Sequence, residues 1–375
     1  MEYRFEIIDV IAEGAFGKIL KAHDKTSADT QSIVAIKIFK EVFSVRTGGL
    51  NSDVLREIST LCQLQPGATE HFIVKLLEIV YGPDTSPLQI SLVFPYYESN
   101  FRHVQVQSLS QILRYTKQLL TALQYCHRQG IWHRDLKPEN ILYDRLNDSC
   151  ILADFGLARP ESQFRFYTHH VATIEYRAHE LFWDYDKYDG AALDLWALGT
   201  IVLEMLLGGV HPWDAPSEIL MLRRMYETLG APAQLQFFQQ TICPRNERMG
   251  LYQYCYDTCW EPTNVEFKLH QFTALDQMHF HQYAPPAEPP LSEEIANFIA
   301  FNNVSMQNTQ QTTMIDRLRA LLKSARCEKL MKGATEQEIN GWGEFLAGCL
   351  DYNPHTRTRA TAADRLLSVA STVFK

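Results

Sequence analysis

No run of apolar residues in this 375-residue sequence is long enough to cross a bilayer: the most apolar stretch, Ala197 to Leu207, is short and carries Glu204. The N-terminus, MEYRFEIIDV, lacks the basic flank and long apolar core of a secretory leader. Positive charge is not in excess. Thirty-five Lys and Arg stand against 44 Asp and Glu, and the formal net charge of −9 argues against a dedicated nucleic-acid binder. Paired Cys-x-x-Cys elements are missing, and the eight cysteines are scattered, which reads as reduced thiols rather than a disulfide framework. The same lack of pairing speaks against zinc at Cys243, Cys255 and Cys259 with His270, His279 and His281. No internal repeat is present. The expectation is a soluble intracellular protein, in nucleus or cytoplasm, with neither a membrane nor a direct nucleic-acid partner.

What is present suffices for one large domain or two modest ones, since 46% of the residues are hydrophobic. The first part reads as strands: Phe5–Ile11, a glycine-bearing turn at Gly14–Gly17, Ile19–Ala22, Ile33–Phe39, Val74–Val80 and Leu88–Phe94. One helix interrupts them, with Val54, Leu55, Ile58, Leu61 and Cys62 at helical spacing. After Tyr96 the pattern turns helical. Ser110 is placed to cap a helix through Cys126, and Asp194–Leu207 reads as a helix buried nearly all round. Between about 231 and 340 clear punctuation is lost, and this stretch reads as an insertion containing one amphipathic helix with Met314, Leu318, Leu321 and Leu322.

Phosphoryl transfer from ATP requires a cover for the phosphates, a cation upon them, ligands for Mg²⁺ and a group that positions the nucleophile. The sequence offers a candidate for each, in a telling order. Ala12-Glu13-Gly14-Ala15-Phe16-Gly17 has two glycines whose missing Cβ atoms would let backbone N–H groups approach phosphate, although alone it is an ordinary hairpin turn. Val34-Ala35-Ile36-Lys37 sets a lysine among apolar neighbours, and Glu57 on the next helix is a partner for a buried ammonium. His133-Arg134-Asp135-Leu136-Lys137-Pro138-Glu139-Asn140 follows, with Asp154-Phe155-Gly156 downstream.

These motifs resemble the signature set of eukaryotic protein kinases, over about residues 3–230 and 340–370. The resemblance implies an α+β, bilobal protein-kinase fold: a lobe at 1–95 with an antiparallel sheet, and a mainly helical lobe at 96–375 that includes the insertion. ATP would lie between the lobes. Lys37 would ground the phosphates beside Ala12, Gly14 and Gly17. Asp135 would orient the substrate hydroxyl, Lys137 would neutralise the transferring phosphate, and Asn140 and Asp154 would hold Mg²⁺. Leu92-Val93-Phe94-Pro95-Tyr96-Tyr97 is similar to the hinge: Phe94 would back the adenine, with the Pro95 carbonyl and the Tyr97 N–H pairing with it and Asn100 reaching the ribose. Glu180, in Ala178-His179-Glu180, would pair with Arg357, and His179, where the family has proline, would slacken that anchor.

Ser52-Asp53-Val54-Leu55-Arg56-Glu57-Ile58-Ser59 resembles the regulatory helix of cyclin-dependent kinases, and Tyr167–Ala178 their activation segment. By that resemblance Thr168 is an activating phosphosite, modified by another kinase or by itself. Arg56, Arg134 and Arg159 would gather around its phosphate. Val171, Ala172, Thr173 and Arg177 would shape a pocket for proline after the target Ser or Thr. A cyclin-like subunit would press the helix inward. Ala15 and Phe16 stand where cell-cycle members carry inhibitory hydroxyls, so that control is absent here. The other readings are a partner-binding pseudokinase scaffold and a cyclin-independent kinase of the same group.

Overall fold

The structure, a computed structural model, describes residues 4–14, 17–26, 32–40, 42–44, 49–82, 89–161, 173–183, 188–213, 215, 218–230 and 313–370. The chain divides into two units, Met1–Gln105 with Arg114–Gln163 and Val106–Leu113 with Phe164–Lys375. No helix among the described residues is long and apolar enough to cross a membrane.

In the first unit β1 (Phe5–Glu13), β2 (Gly17–Asp24), β3 (Ile33–Phe39), β6 (Glu78–Tyr81) and β7 (Ile90–Pro95) form an antiparallel sheet of order β1-β2-β3-β7-β6. Small pairings between β4 (Phe43–Ser44) and β5 (Gly49–Leu50) lie in the chain between β3 and the helix that follows. Strand alternation decides what each face carries. Val34 and Ile36 join Phe5, Leu20, Ala22 and Val93 in a core cluster. Lys37, between Ile36 and Ile38, therefore emerges on the opposite face. β1 is an edge strand of which only Phe5 is buried.

Helix α1 (Ser52–Leu64) begins where Asn51 accepts the Asp53 N–H, and it buries Val54, Glu57, Thr60, Leu61 and Leu64. Of the apolar residues at helical spacing, Val54 and Leu61 belong to this buried set and the rest lie rotated outward. Leu55 is 45% exposed, Cys62 is exposed and Ile58 is half-buried. The rotation has an electrostatic cause, for the helix turns Glu57 inward to meet an ammonium. Helix α2 (Leu109–Arg128) starts two residues earlier than a Ser110 cap would place it, and the Ser108 hydroxyl accepts the Gln111 N–H. Antiparallel β10 (Ile141–Asp144) and β11 (Ser149–Leu152) pair next, with Ile141 opposite Leu152, and β8 (Ser99–Asn100) adds to β10. β9 (Ile131–Trp132) pairs with β12 (Arg159–Pro160).

The second unit is helical. α3 (Gly190–Leu206) buries every one of its residues, and its N-cap Asp189 accepts the Ala191 and Ala192 N–H groups. α4 (Glu218–Leu229), α5 (Met314–Leu322), α6 (Glu328–Met331), α7 (Glu336–Cys349) and α8 (Ala360–Ala370) complete it. A Cβ on Gly199 would lie 2.7 Å from Cys349 Cβ, so glycine is what lets α3 and α7 approach. Of the stretch expected to be an insertion, 231–312 lies outside the described residues. The amphipathic helix inside it is α5, which buries Leu318, Leu321 and Leu322, packs on α4 and α7, and carries a capping box between Thr313 and Asp316. Among the described residues Cys62, Cys126, Cys150, Cys327 and Cys349 are free thiols, and burial raises Cys327 and Cys349 to about 12. Cys243, Cys255 and Cys259, with the three nearby histidines, lie outside them.

Candidate active site

Two groups of polar side chains lie within the first unit. In one, Lys37 Nζ donates to Glu57 Oε1 at 2.6 Å and to Asp154 Oδ1 at 3.0 Å. Lys37 is drawn down by burial and raised further by the charges of Asp154 and Glu57, so its ammonium is held well protonated. Asp154 feels burial, which Lys37 overcomes, and its carboxyl lies below the usual range. Burial pushes Glu57 up, because its carboxylate has little solvent. A Cβ on Gly156 would meet Asp154 Oδ1 and Glu57 Oε2 at 3.3 Å each, so the glycine leaves room for the triad.

In the other group Asp135 is the centre. Its Oδ2 accepts from Lys137 Nζ at 2.8 Å and from Asn140 Nδ2 at 3.0 Å, while Asn140 Nδ2 also reaches the Asp135 carbonyl at 2.8 Å. The β10–β11 hairpin sets the two groups side by side. Asn140 enters β10 as Asp154 leaves β11 two residues after Leu152, and the Ala153 N–H donates to the Asn140 carbonyl at 2.9 Å. His133 fastens the same junction: Nε2–H donates to the Ala153 carbonyl at 2.9 Å, Nδ1 accepts the Asp135 N–H at 3.3 Å, and its ring meets Phe155 edge-on at 5.0 Å. Arg134 (φ +69°) and Asp154 (φ +56°) adopt left-handed backbone, at a cost of about 1–3 kcal/mol each. Strain at two neighbouring site residues marks a geometry imposed by the surroundings.

Around these groups stand the other expected contacts. β3 pairs with β7 so that Ala35 faces Phe94 and Val34 faces Pro95, both half-buried. Tyr97 is half-buried, and burial followed by the Asp144 charge raises its phenol. Asn100 Oδ1 accepts the Arg102 N–H at 3.1 Å, so of its side-chain groups the amide NH₂ is left for a ligand. Ala12 and Gly14 are exposed, and Ala12 sits beside a bulge in β1. The Gly14 N–H donates to the Gly17 carbonyl at 2.9 Å. A Cβ on Gly17 would lie 2.3 Å from the Ile38 carbonyl oxygen, so this position admits glycine alone.

A family model described as the protein kinase domain matches residues 5–366. The chain belongs to the protein kinase family. The antiparallel sheet with α1 and the helical remainder are thereby the two lobes of the kinase fold.

Kinase domains use ATP and Mg²⁺, and the donors here fit a hard cation that prefers oxygen. Asn140 turns its amide nitrogen to Asp135, leaving Oδ1, and Asp154 engages Lys37 and the Gly156 N–H through Oδ1, leaving Oδ2. Asn140 and Asp154 are the residues that would hold the ion.

Three arginines of the kinase converge in the first unit. Arg159 is pulled down by burial and then by the charges of Arg56 and Arg134. Asp53, to which the sequence reading gave no role, touches two of them: its Oδ1 lies 2.5 Å from Arg56 Nη1 and 3.5 Å from Arg159 Nη2. It is the first-turn acid of α1, and its position three residues before Arg56 was the signal available in the sequence.

In the second unit Arg357 Nη1 and Nη2 donate to Glu180 Oε1 and Oε2 at 2.8 and 2.7 Å, both side chains fully buried. His179 is no slack point. It is buried, its Nε2 lies 2.7 Å from the Tyr226 hydroxyl, and its ring lies 4.6 Å from that of Tyr352. Tyr176 donates to Glu204 Oε2 at 2.7 Å, and Trp213 Nε1 donates to the Glu175 carbonyl at 3.1 Å. Arg177 is buried with its guanidinium over the Phe182 ring, and Thr173 occupies the residue position just before the turn Ile174–Tyr176. Thr168, Val171 and Ala172, like Ala15 and Phe16, lie outside the described residues.

Burial, and secondarily the Arg357 charge, hold His179 far below the ordinary imidazole value of 6.5. The unfolded chain takes up this proton below that value and the folded chain does not. Stability from the neutral ring is therefore complete above pH 6.5 and is lost as pH falls through 6 to 5. Urea unfolding across that range is expected to show an extra loss of up to about 1.4 kcal/mol per pH unit, which His179→Gln removes.

Proposed function

We propose that this kinase is an active Ser/Thr kinase of the cyclin-dependent group, directed to sites followed by proline. The observation that carries the catalytic part is the interlocked set Asp135, Lys137 and Asn140 beside the closed Lys37–Glu57–Asp154 triad. The substrate hydroxyl oxygen forms a bond to the γ-phosphorus of ATP as the bond from that phosphorus to the bridging oxygen breaks. ADP leaves with the bond's electron pair, and the hydroxyl proton passes to the Asp135 carboxylate. Lys137 lies against Asp135 and neutralises the group in transfer. Lys37, fixed by Glu57, orients the phosphates of ATP, while Ala12, Gly14 and Gly17 cover them. Asn140 and Asp154 would hold Mg²⁺, which would supply positive charge to the phosphate oxygens. Phe94, Pro95, Tyr97 and Asn100 receive the nucleoside.

Activation by a cyclin-like subunit and by Thr168 phosphorylation belongs to the same reading, but the Lys37–Glu57 pair is already closed in the isolated chain, so such a subunit would hold α1 inward rather than press it there. Its support is the outer face of α1, where Leu55, Ile58 and Cys62 form an apolar stripe turned away from Glu57. Val171, Ala172, Thr173 and Arg177 would select the proline, by the family resemblance. The test is transfer from Mg-ATP to a Ser/Thr peptide library by protein purified from native cells with its partners. Transfer selective for proline after the acceptor supports the reading. No transfer from Thr168-phosphorylated protein with a bound partner would replace it with a scaffold role. Leu55→Asp is expected to lower co-purification of a cyclin-fold partner about tenfold or more, with the melting temperature unchanged because the side chain is exposed. Undiminished co-purification would remove the partner from α1.

A further inference from the structure

Three guanidinium groups from three separate elements crowd together in the first unit: Arg56 from α1, Arg134 from the catalytic loop and Arg159 from β12. The crowding is unfavourable, as the fields of Arg56 and Arg134 on Arg159 attest. Among the described residues, the carboxylate that opposes it at Arg159 is Asp53. Its Oδ1 contacts Arg56 at 2.5 Å and Arg159 at 3.5 Å, so a single oxygen joins the regulatory helix to the strand after Asp154-Phe155-Gly156.

Placement gives this contact its meaning. Asp53 and Glu57 are four residues apart on α1 and share a helix flank. Asp154 and Arg159 are five residues apart on the other segment. The two segments are thus tied twice, once through Lys37, which meets Glu57 and Asp154, and once through Asp53, which meets Arg159. The Asp53–Arg56 pair alone would be an ordinary partly exposed pair within one helix, of little consequence. The second arginine, brought from a distant strand, turns it into a cross-link. A carboxylate in the first turn is also favoured there by the helix dipole.

We propose that Asp53 is a built-in counter-charge for the arginine cluster, a positioning residue that holds α1 so that Glu57 stays on Lys37 without a phosphate on Thr168. A phosphothreonine would bring about two negative charges to the same arginines and make Asp53 redundant. Phosphorylation of this kinase is then a reinforcement rather than an on-switch. The inference rests on the proposed role of Thr168 and on kinase activity.

Full-length protein carrying Asp53→Asn or Asp53→Glu is assayed in two backgrounds, Thr168→Ala and fully Thr168-phosphorylated, for kcat and for the KM of peptide and of MgATP. Hydrogen exchange of α1 is followed in the same samples. On Thr168→Ala, Asp53→Asn is expected to lower kcat roughly tenfold with the peptide KM unchanged, and Asp53→Glu to restore most of it. On phosphorylated protein the loss shrinks to less than about twofold. An equal loss in both backgrounds, a loss that glutamate does not restore, or no loss overturns the proposal. Should no form transfer phosphate, the kinase reading itself fails, and exchange decides the positioning role. Faster α1 exchange in Asp53→Asn on Thr168→Ala supports it, and unchanged exchange rejects it.

Discussion

Asp135→Asn is expected to lower kcat by about 10²–10⁴-fold while leaving MgATP affinity unchanged. The asparagine has the shape of the aspartate and keeps one acceptor oxygen for Lys137 and Asn140, which now approach Asp135 Oδ2 at 2.8 and 3.0 Å. What it loses is the carboxylate to which the proposed mechanism gives the substrate proton. Lys37, which the proposed reading places on the phosphates, belongs to the Lys37–Glu57–Asp154 triad, so a fluorescence titration with MgATP separates the two effects. A kcat within tenfold of the parent would assign the hydroxyl proton to another group.

Arg357→Ala is expected to reduce the unfolding free energy by about 3–5 kcal/mol, read from urea denaturation. Both Glu180 oxygens accept from Arg357 at 2.8 and 2.7 Å, and Arg357 also donates to the Ala192 carbonyl at 3.0 Å and to the Asp351 carbonyl at 2.8 Å. No water can replace the fork, because both side chains are fully buried. Alanine would leave the Glu180 carboxyl without its partner in the interior. Arg357→Lys should rescue little, since an ammonium cannot present two parallel donors. Removing both charges, as in Arg357→Met with Glu180→Leu, should be less damaging than either single change. A single-variant loss under about 1 kcal/mol would mean that water reaches the pair.

Much of the catalytic machinery was readable because it is local in the chain. The catalytic octapeptide places Asp135, Lys137 and Asn140 within six residues, and their mutual hydrogen bonds follow from that proximity. Ile33–Phe39 was readable as a strand because β-branched residues fit a pleated, half-buried surface, and its bounds coincide with β3. The face of α1 was not readable from apolar spacing. Leu55 and Cys62 have the right period, yet they face outward because the helix is oriented by the charge of Lys37 on a strand 20 residues earlier. The end of β6 shows a similar effect. Val74 is buried outside any strand, its N–H donating to the Leu152 carbonyl, so the strand begins only at Glu78.

The sequence by itself determined the family and the order of the parts, because those depend on residue type and short spacing. Tertiary structure alone decided which charges meet. It joined Asp53 to Arg159, set His179 against Tyr226 and Tyr352, and enclosed Arg357 with Glu180. Those partners lie far apart in the chain. A charge or hydrogen-bonding group acts over only a few ångströms, so its effect cannot be known until folding has chosen its neighbours.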